Sequence, residues 1–446
     1  MATTFPDTQG AASDLGRTEK STLAVSFALL AFPLIQIGFT YYLSTGLVLI
    51  LLLMWTVLAQ LSRSTVGVQS FFLIIPFLFL NLIWGTGRFD IADFLRNLRE
   101  GVFFAISLVA LRLAVTQPVT LNAKRIVQVM LALVVGMLIL TVVQMVFIRR
   151  GIYLGLPEEW YISNAAALPG ELDLKYSKIR PAGSFGEPSY LGFFLFSLII
   201  MLVPMLERSS RCRWTVGLAI VCGLLSQSVS FILAMAILSA VWVGRSNLAV
   251  TQKIVLGAML VVGTFGVFVL IDGLLERFAS IGSGEDSSAQ YRIVMPFLMI
   301  PSFLTEFPFG KAFSELPAIL SPMASRLGWG YEAPMDNAMA NLVFIYGLIG
   351  IALIAIIASV ARDAVLRSYI LLAMFFNGGI FTIDKCSMIL LVCVVYRSMV
   401  GTAGRLRLRE AQARDRQRAL RRIQADAGAS AGVGTGTGPG LPGAPA

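Results

Sequence analysis

The stretch TVGLAIVCGLLSQSVSFILAMAILSAVWV, residues 215–243, decides how this chain is built. It is apolar over about 29 residues, more than the roughly 20 that a helix needs to cross a bilayer. Near its middle, SQSVS (226–230) interrupts it with small polar groups. It therefore reads either as two short helices joined by a tight turn or as one long tilted helix. The choice reverses the sidedness of everything downstream. Lysine and arginine collect in the short cytoplasmic loops of membrane proteins, and they separate the two readings. With Arg17 and Lys20 in the cytoplasm, a hairpin puts Arg208, Arg211, Arg213, Arg245, Lys253, Arg362, Arg367 and the arginine-rich tail on that same side. A single helix would put the tail outside. Charge favours the hairpin.

The rest of the chain is of the same kind. Of its 446 residues 57% are hydrophobic and only 13% charged, with a mean hydropathy of +0.80. A soluble domain carries about 25% charged residues. Further apolar runs lie at 22–41, 45–61, 66–84, 101–117, 126–147, 188–206, 254–272, 338–360, 368–382 and 385–400. With the hairpin they make about twelve spans, so an all-α polytopic membrane protein is expected. The formal charge of +10 belongs to cytoplasmic loops and tail rather than to a nucleic-acid surface. Four cysteines, most of them in apolar runs, give no disulfide framework. The absence of histidine removes the commonest metal ligand and the commonest near-neutral acid–base group. The first apolar run has no small-residue cleavage site and reads as an uncleaved span.

This topology gives a cytoplasmic N-terminus at 1–21, a transmembrane domain at 22–400 and a cytoplasmic tail at 401–446. Two long loops, about 148–187 and about 273–337, fall outside. In the tail, 405–424 has a basic helical pattern, with Glu410 four residues before Arg414. The last segment, AGASAGVGTGTGPGLPGAPA (427–446), is of low complexity and expected to be disordered.

Most charges on the external loops read as solvated surface, the carboxylate pairs Glu158–Glu159 and Glu285–Asp286 among them. The stretch KIRPAGSFGEPSYLGFF (178–194) is different, because its charges sit among conformational constraints. Pro181 fixes its own φ and biases Arg180 toward an extended backbone. Gly183 and Gly186 admit a positive φ or a close backbone approach. Pro188 suits the first turn of a helix, and Glu187 before it meets the positive end of the helix dipole. Arg180 and Glu187 are thus held near one another at the outer surface, as a site or as a helix cap with a structural arginine. In the second loop Arg277 follows a span, and Arg292 opens the run IVMPFLMIPSFL. That run is too short and too broken by proline to span, so it is expected to lie along or dip into the outer interface. Arginine there suits a phosphate or pyrophosphate, since its planar fork binds oxyanions bidentately and stays charged. Asp336 and Asn337 stand at the entrance to the following span.

These residues carry a resemblance. Arg180-Pro-Ala-Gly183-Ser-Phe-Gly-Glu187-Pro188 is similar to the signature R-x-x-G-x-F-x-E-P of the Wzy-type bacterial polysaccharide polymerases and O-antigen ligases. Arg277 and Arg292, then Pro308-x-Gly310, then Asn337 before Gly347 and Gly350, follow in a similar order. The resemblance covers roughly 175–350. Asp336 stands where a histidine often precedes the asparagine and serves in ligases, which favours the polymerase branch.

The resemblance implies a GT-C-like membrane glycosyltransferase of the bacterial inner membrane. It would join oligosaccharide repeat units carried on undecaprenyl pyrophosphate at the periplasmic face, with a chain-length regulator and a flippase as possible partners. No cofactor and no metal are expected. Arg180, Arg277 and Arg292 are expected to stabilise the pyrophosphate leaving group. Glu187 or Asp336 would activate or orient the acceptor hydroxyl. Lys178, Gly183, Tyr291 and Asn337 complete the expected substrate contacts. The runner-up is a ligase transferring finished glycan. A transporter or flippase fits less well, because mid-span charge is nearly absent, no internal repeat is visible and the special residues cluster outside.

Overall fold

The protein is described by a computed structural model over residues 8–34, 38–40, 43–44, 119–152, 154–155, 180–245, 249–270, 294–327, 337–376 and 383–432, with isolated positions between 91 and 115. The spans expected at 45–61 and 66–84 lie outside the described residues. Helix α1 (Thr8–Ala31) passes into a 3-10 turn at Phe32–Leu34. The expected span 22–41 is thus displaced toward the N-terminus. Pro33 has no N–H to give and disfavours helix before it. A small antiparallel pair follows, β1 (Gly38–Thr40) with β2 (Leu43–Ser44), a local hairpin in a chain whose other described elements are helical, as the all-α expectation has it. Its Thr and Phe suit a pleated strand better than a helix.

Helix α2 (Ala123–Ile148) starts at Asn122, whose side chain caps the Arg125 amide, and matches the span expected at 126–147. Helix α3 (Pro188–Leu202) starts at Pro188 and runs into a 3-10 turn ending at Met205. It buries every residue except Pro188 and Tyr190, which makes it the central helix of the bundle. Helices α4 (Ser210–Leu225) and α5 (Val229–Arg245) both pack on it. Their break at 226–228 resolves the 215–243 run as two helices. Ser226 Oγ donates to the Gly223 carbonyl (2.7 Å), and Ser228 Oγ accepts from the Phe231 amide (3.4 Å). The small polar residues thus serve backbone groups that a helix end leaves unsatisfied. Helix α6 (Val250–Leu270) follows and packs on α5.

The second half differs more from expectation. Helix α7 (Met295–Glu306) turns Met295, Met299 and Phe303 inward and leaves Phe297 and Leu298 exposed. Helix α8 (Leu316–Arg326) had no counterpart in the sequence reading. The span expected at 338–360 is two helices, α9 (Ala338–Tyr346) and α10 (Leu348–Val360), broken at Gly347 with φ 58° and ψ −134°. In a continuous helix, residues eight apart are separated by about 12 Å along the axis. Here a Cβ on Gly350 would fall 2.0 Å from the Leu342 carbonyl oxygen, so the chain reverses sharply. Helix α11 (Ala364–Ala373), capped by Asp363, has ten residues where a span at 368–382 was expected. At 1.5 Å per residue it is about 15 Å long, half a bilayer core.

Helix α12 (Ile383–Gly432) joins the span expected at 385–400 to the basic pattern at 405–424 and continues to Gly432. The beginning of the segment expected to be disordered is therefore helical. Ala, Leu, Arg, Glu and Gln dominate 405–432, all strong helix formers, and no proline lies in that stretch. The chain forms two compact units, Met1–Met399 and Val400–Ala446. In the second, the described residues from Arg405 to Arg421 are exposed but for Leu406. Among the described residues, Ala123–Ile148, Pro188–Met205 and Lys385–Arg421 are the helices long and apolar enough to cross a membrane.

Hydrogen bonds within the first unit sort into two ends of the bundle. At one end the Asn122 amide donates to Thr22 Oγ1 (2.9 Å), the Leu121 amide to Ser398 Oγ (3.1 Å) and the Tyr396 hydroxyl to Asp363 (3.0 Å). The other end holds the stretch 180–187.

Candidate functional site

The loop from Arg180 to Glu187 lies where five helix ends meet: the C-termini of α1 and α2, the N-terminus of α3 and the two ends joined by the α4–α5 turn. Its backbone is fixed by Gln144, a buried amide one turn from the end of α2. Gln144 Oε1 accepts from the amides of Ala182 (3.1 Å) and Gly183 (2.8 Å). Its Nε2 donates to the carbonyls of Gly183 and Leu154, both at 2.7 Å. The side chain thereby uses its two donors and both acceptor sites. Gly183 sits at φ 66°, and a Cβ there would stand 3.3 Å from Met137 Sδ. The positive φ expected at this glycine is present, in a place that also leaves little room.

Two further anchors hold the loop. Ser184 Oγ donates to the Pro33 carbonyl (2.8 Å). Phe185 is buried between Phe194 (5.6 Å) and Phe32 (6.4 Å), which stack on each other at 5.5 Å. So framed, Arg180 reaches across to the α4–α5 turn, where Nη1 donates to the Gln227 carbonyl at 3.3 Å. Glu187 is the N-cap residue of α3, with φ −136° and ψ 147°, and makes no side-chain cap bond. Its Oε2 accepts instead from Ser189 Oγ at 2.9 Å. The carboxylate is thus oriented by a hydroxyl on the helix it precedes. Arg180 and Glu187 belong to one short, multiply tethered loop at one end of the bundle.

Asn337 caps α9: its Oδ1 accepts from the amides of Met339 (2.9 Å) and Ala340 (3.2 Å), and the residue is fully buried. The Pro308-x-Gly310 and Gly347-x-x-Gly350 motifs form one structural unit. The Leu348 amide donates to the Pro308 carbonyl (2.8 Å) and the Lys311 amide to the Phe344 carbonyl (3.0 Å). A Cβ on Gly310 would fall 2.2 Å from the Ile345 carbonyl oxygen, and one on Gly347 2.1 Å from that of Pro308. The two backbones cross where only hydrogen fits. Phe303 of α7 meets Phe344 of α9 edge-on at 5.0 Å and ties the same region together. Lys178, Arg277, Tyr291, Arg292 and Asp336 lie outside the described residues.

Sequence reading missed two groups here. Gln144 was hidden in an apolar run, although a polar side chain inside a span is a signal worth following. Lys385, at the head of the last span, is buried and donates from Nζ to the Phe376 carbonyl. The Phe376 ring packs on Phe193 and Phe196 of α3 at 5.4 and 5.8 Å. A lysine at a span boundary reads as snorkelling outward, and this one is turned in.

Comparison with known proteins accords with the order of motifs. Residues 21–398 match the family model described as WcaD colanic acid polymerase. No curated protein matches the chain. The match runs from α1 into the apolar part of α12 and takes in every motif described above. The chain belongs to the WcaD colanic acid polymerase family, and so to the Wzy-type polysaccharide polymerases.

Proposed function

We propose that this membrane polysaccharide polymerase joins oligosaccharide repeat units carried on undecaprenyl pyrophosphate, at the periplasmic face of the bacterial inner membrane. In the reaction an acceptor hydroxyl attacks the anomeric carbon of the donor chain. The new glycosidic bond forms as the bond to pyrophosphate breaks, and undecaprenyl pyrophosphate leaves with the electron pair. The charge developing on that leaving group is the chief catalytic demand, and preorganised arginines meet it. Arg180 takes this role, together with Arg277 and Arg292 of the second loop. Glu187 or Asp336 accepts the proton of the attacking hydroxyl. Lys178, Gly183, Tyr291 and Asn337 contribute to substrate binding, and a chain-length regulator and a flippase are the partners such a reaction calls for.

The observation that carries this reading is the mounting of Arg180. A loop held by Gln144, Ser184 and Phe185 directs its guanidinium to the turn joining α4 and α5, with the Glu187 carboxylate on the same loop. Catalysis by charge stabilisation requires donors already in position, and this arginine is positioned by backbone contacts. Cytoplasmic termini follow from the same charge distribution that favours the hairpin. The test is purified protein supplied with lipid-linked repeat units, without added nucleotide or metal. Length increase is expected from the natural chain, and single units are expected to remain with Arg180→Ala. Full-length polymer from Arg180→Ala and Arg292→Ala chains that insert normally would overturn the arginine mechanism.

A further inference from the structure

Gln227, in the turn between α4 and α5, is the described non-glycine residue with a positive φ, at 51°. The left-handed region is costly for an ordinary side chain, because Cβ crowds the neighbouring carbonyl, and such residues persist where the surroundings over-determine them. The surroundings here do so. The Gln227 amide donates to the Leu224 carbonyl (3.0 Å), Ser226 and Ser228 bond the flanking helix ends, and the turn lies against α3 so closely that a Cβ on Gly192 would fall 2.8 Å from Ser228 Oγ. A turn of this shape is met more cheaply by glycine or asparagine. Gln227 is half-exposed, and among the described residues its side-chain amide has no hydrogen-bond partner. Its carbonyl, by contrast, holds Arg180 at 3.3 Å.

We infer that the Gln227 side chain is a substrate-binding group of the Arg180 site, taking a sugar hydroxyl next to the pyrophosphate. This rests on the reading of Arg180 as the leaving-group arginine. The chemistry is complementary: the guanidinium offers donors only and suits the charged pyrophosphate, whereas a neutral amide offers donor and acceptor together and suits a hydroxyl, which does the same. The two groups reach one ligand because the carbonyl of one residue fixes the side chain of the other. The strained backbone then has a reason: glycine would relieve it but lack the amide, and asparagine would carry the amide on a shorter arm.

The opposition between strain and function supplies the test. Gln227→Gly relieves the backbone and deletes the amide, and Gln227→Asn keeps an amide in a residue that tolerates the left-handed region. Melting temperature is measured in detergent or nanodiscs, and KM and kcat with lipid-linked repeat units. Gln227→Gly is expected to melt no lower than the natural chain and to raise KM about tenfold or more, the effect of losing one or two hydrogen bonds to substrate. Gln227→Asn is expected to fall between. Natural kinetics in Gln227→Gly would overturn the inference, and so would a clear drop in its melting temperature, because the side chain would then serve the fold. If Arg180→Ala is inactive while Gln227→Gly is fully active, only the Gln227 inference fails. If Arg180→Ala polymerises normally, the reading beneath it fails.

Discussion

Replacing Gln144 by leucine tests how the candidate site is held. Leucine has a similar volume and favours helix, so α2 itself should be undisturbed. What disappears is a set of four hydrogen bonds to the loop that carries Arg180. Leu154 is exposed, so water can take over at its carbonyl. The amides of Ala182 and Gly183 and the carbonyl of Gly183 belong to buried residues and lose their partner inside the protein. At about 1 kcal/mol net for each of these bonds, docking of the loop weakens by about 3 kcal/mol, and by more if the groups stay dry. Since 1.4 kcal/mol is a factor of about ten, the opening equilibrium shifts by about a hundredfold. Hydrogen–deuterium exchange over residues 180–187 reads this directly in detergent or nanodiscs. The Ala182 and Gly183 amides should exchange about a hundredfold faster in Gln144→Leu, with α2 unchanged and polymer synthesis sharply reduced. Exchange at these amides within about threefold of the natural chain would refute the reasoning, because the loop would then be held by something other than this amide.

Four further substitutions separate kinds of close contact. Gly347→Ala puts a methyl group 2.1 Å from a backbone oxygen at φ 58°, where neither partner can yield, and the protein should fail to accumulate in the membrane fraction. Gly183→Ala meets the flexible Met137 thioether at 3.3 Å and Leu191 at an ordinary contact distance of 3.6 Å, so its cost should be chiefly the backbone term of about 1–2 kcal/mol, a small drop in melting temperature with insertion intact. Within α3, Ser197 Oγ and the Tyr369 hydroxyl of α11 share a hydrogen bond of 2.9 Å, and Ser197 also donates to Phe193. Tyr369→Phe leaves Ser197 bonded and should lower stability by about 1 kcal/mol, whereas Ser197→Ala strands a buried hydroxyl and should cost about 1–3 kcal/mol, an order that thermal denaturation can check.

What could be read in the sequence was local, and what could not was tertiary. The head of α3 was legible because proline at its first position and a carboxylate before it act within a few residues. Gly183 was legible for the same reason, in that its neighbours already announced a constrained loop. Gln144 was not, because its partners lie ten to 39 residues away and nothing in LTVVQMVF distinguishes a paired amide from a stray one. The break at Gly347 was hidden likewise. Glycines are frequent in membrane helices, and only the approach of Pro308 and Gly310 makes this one turn the chain back. The continuity of α12 was misjudged at the change from apolar to basic composition, which alters what surrounds a helix without ending it.

The hairpin at 215–243 shows how much one local reading governs. Helix α2 has 26 residues, about 39 Å, and separates the contacts of Thr22 and Ser398 from those of Leu154 and Gly183. The groups at its N-terminal end are those that positive charge assigns to the cytoplasm, and the groups at its C-terminal end are those it assigns outside. Had 215–243 been one tilted helix, Gln227 would lie midway along it, far from either end. Its carbonyl instead accepts from Arg180, at the end of the bundle where the α3 N-terminus begins. The turn at SQS therefore does two things at once: it reverses the chain between α4 and α5, as the charge reading expects, and it supplies the carbonyl that holds the arginine.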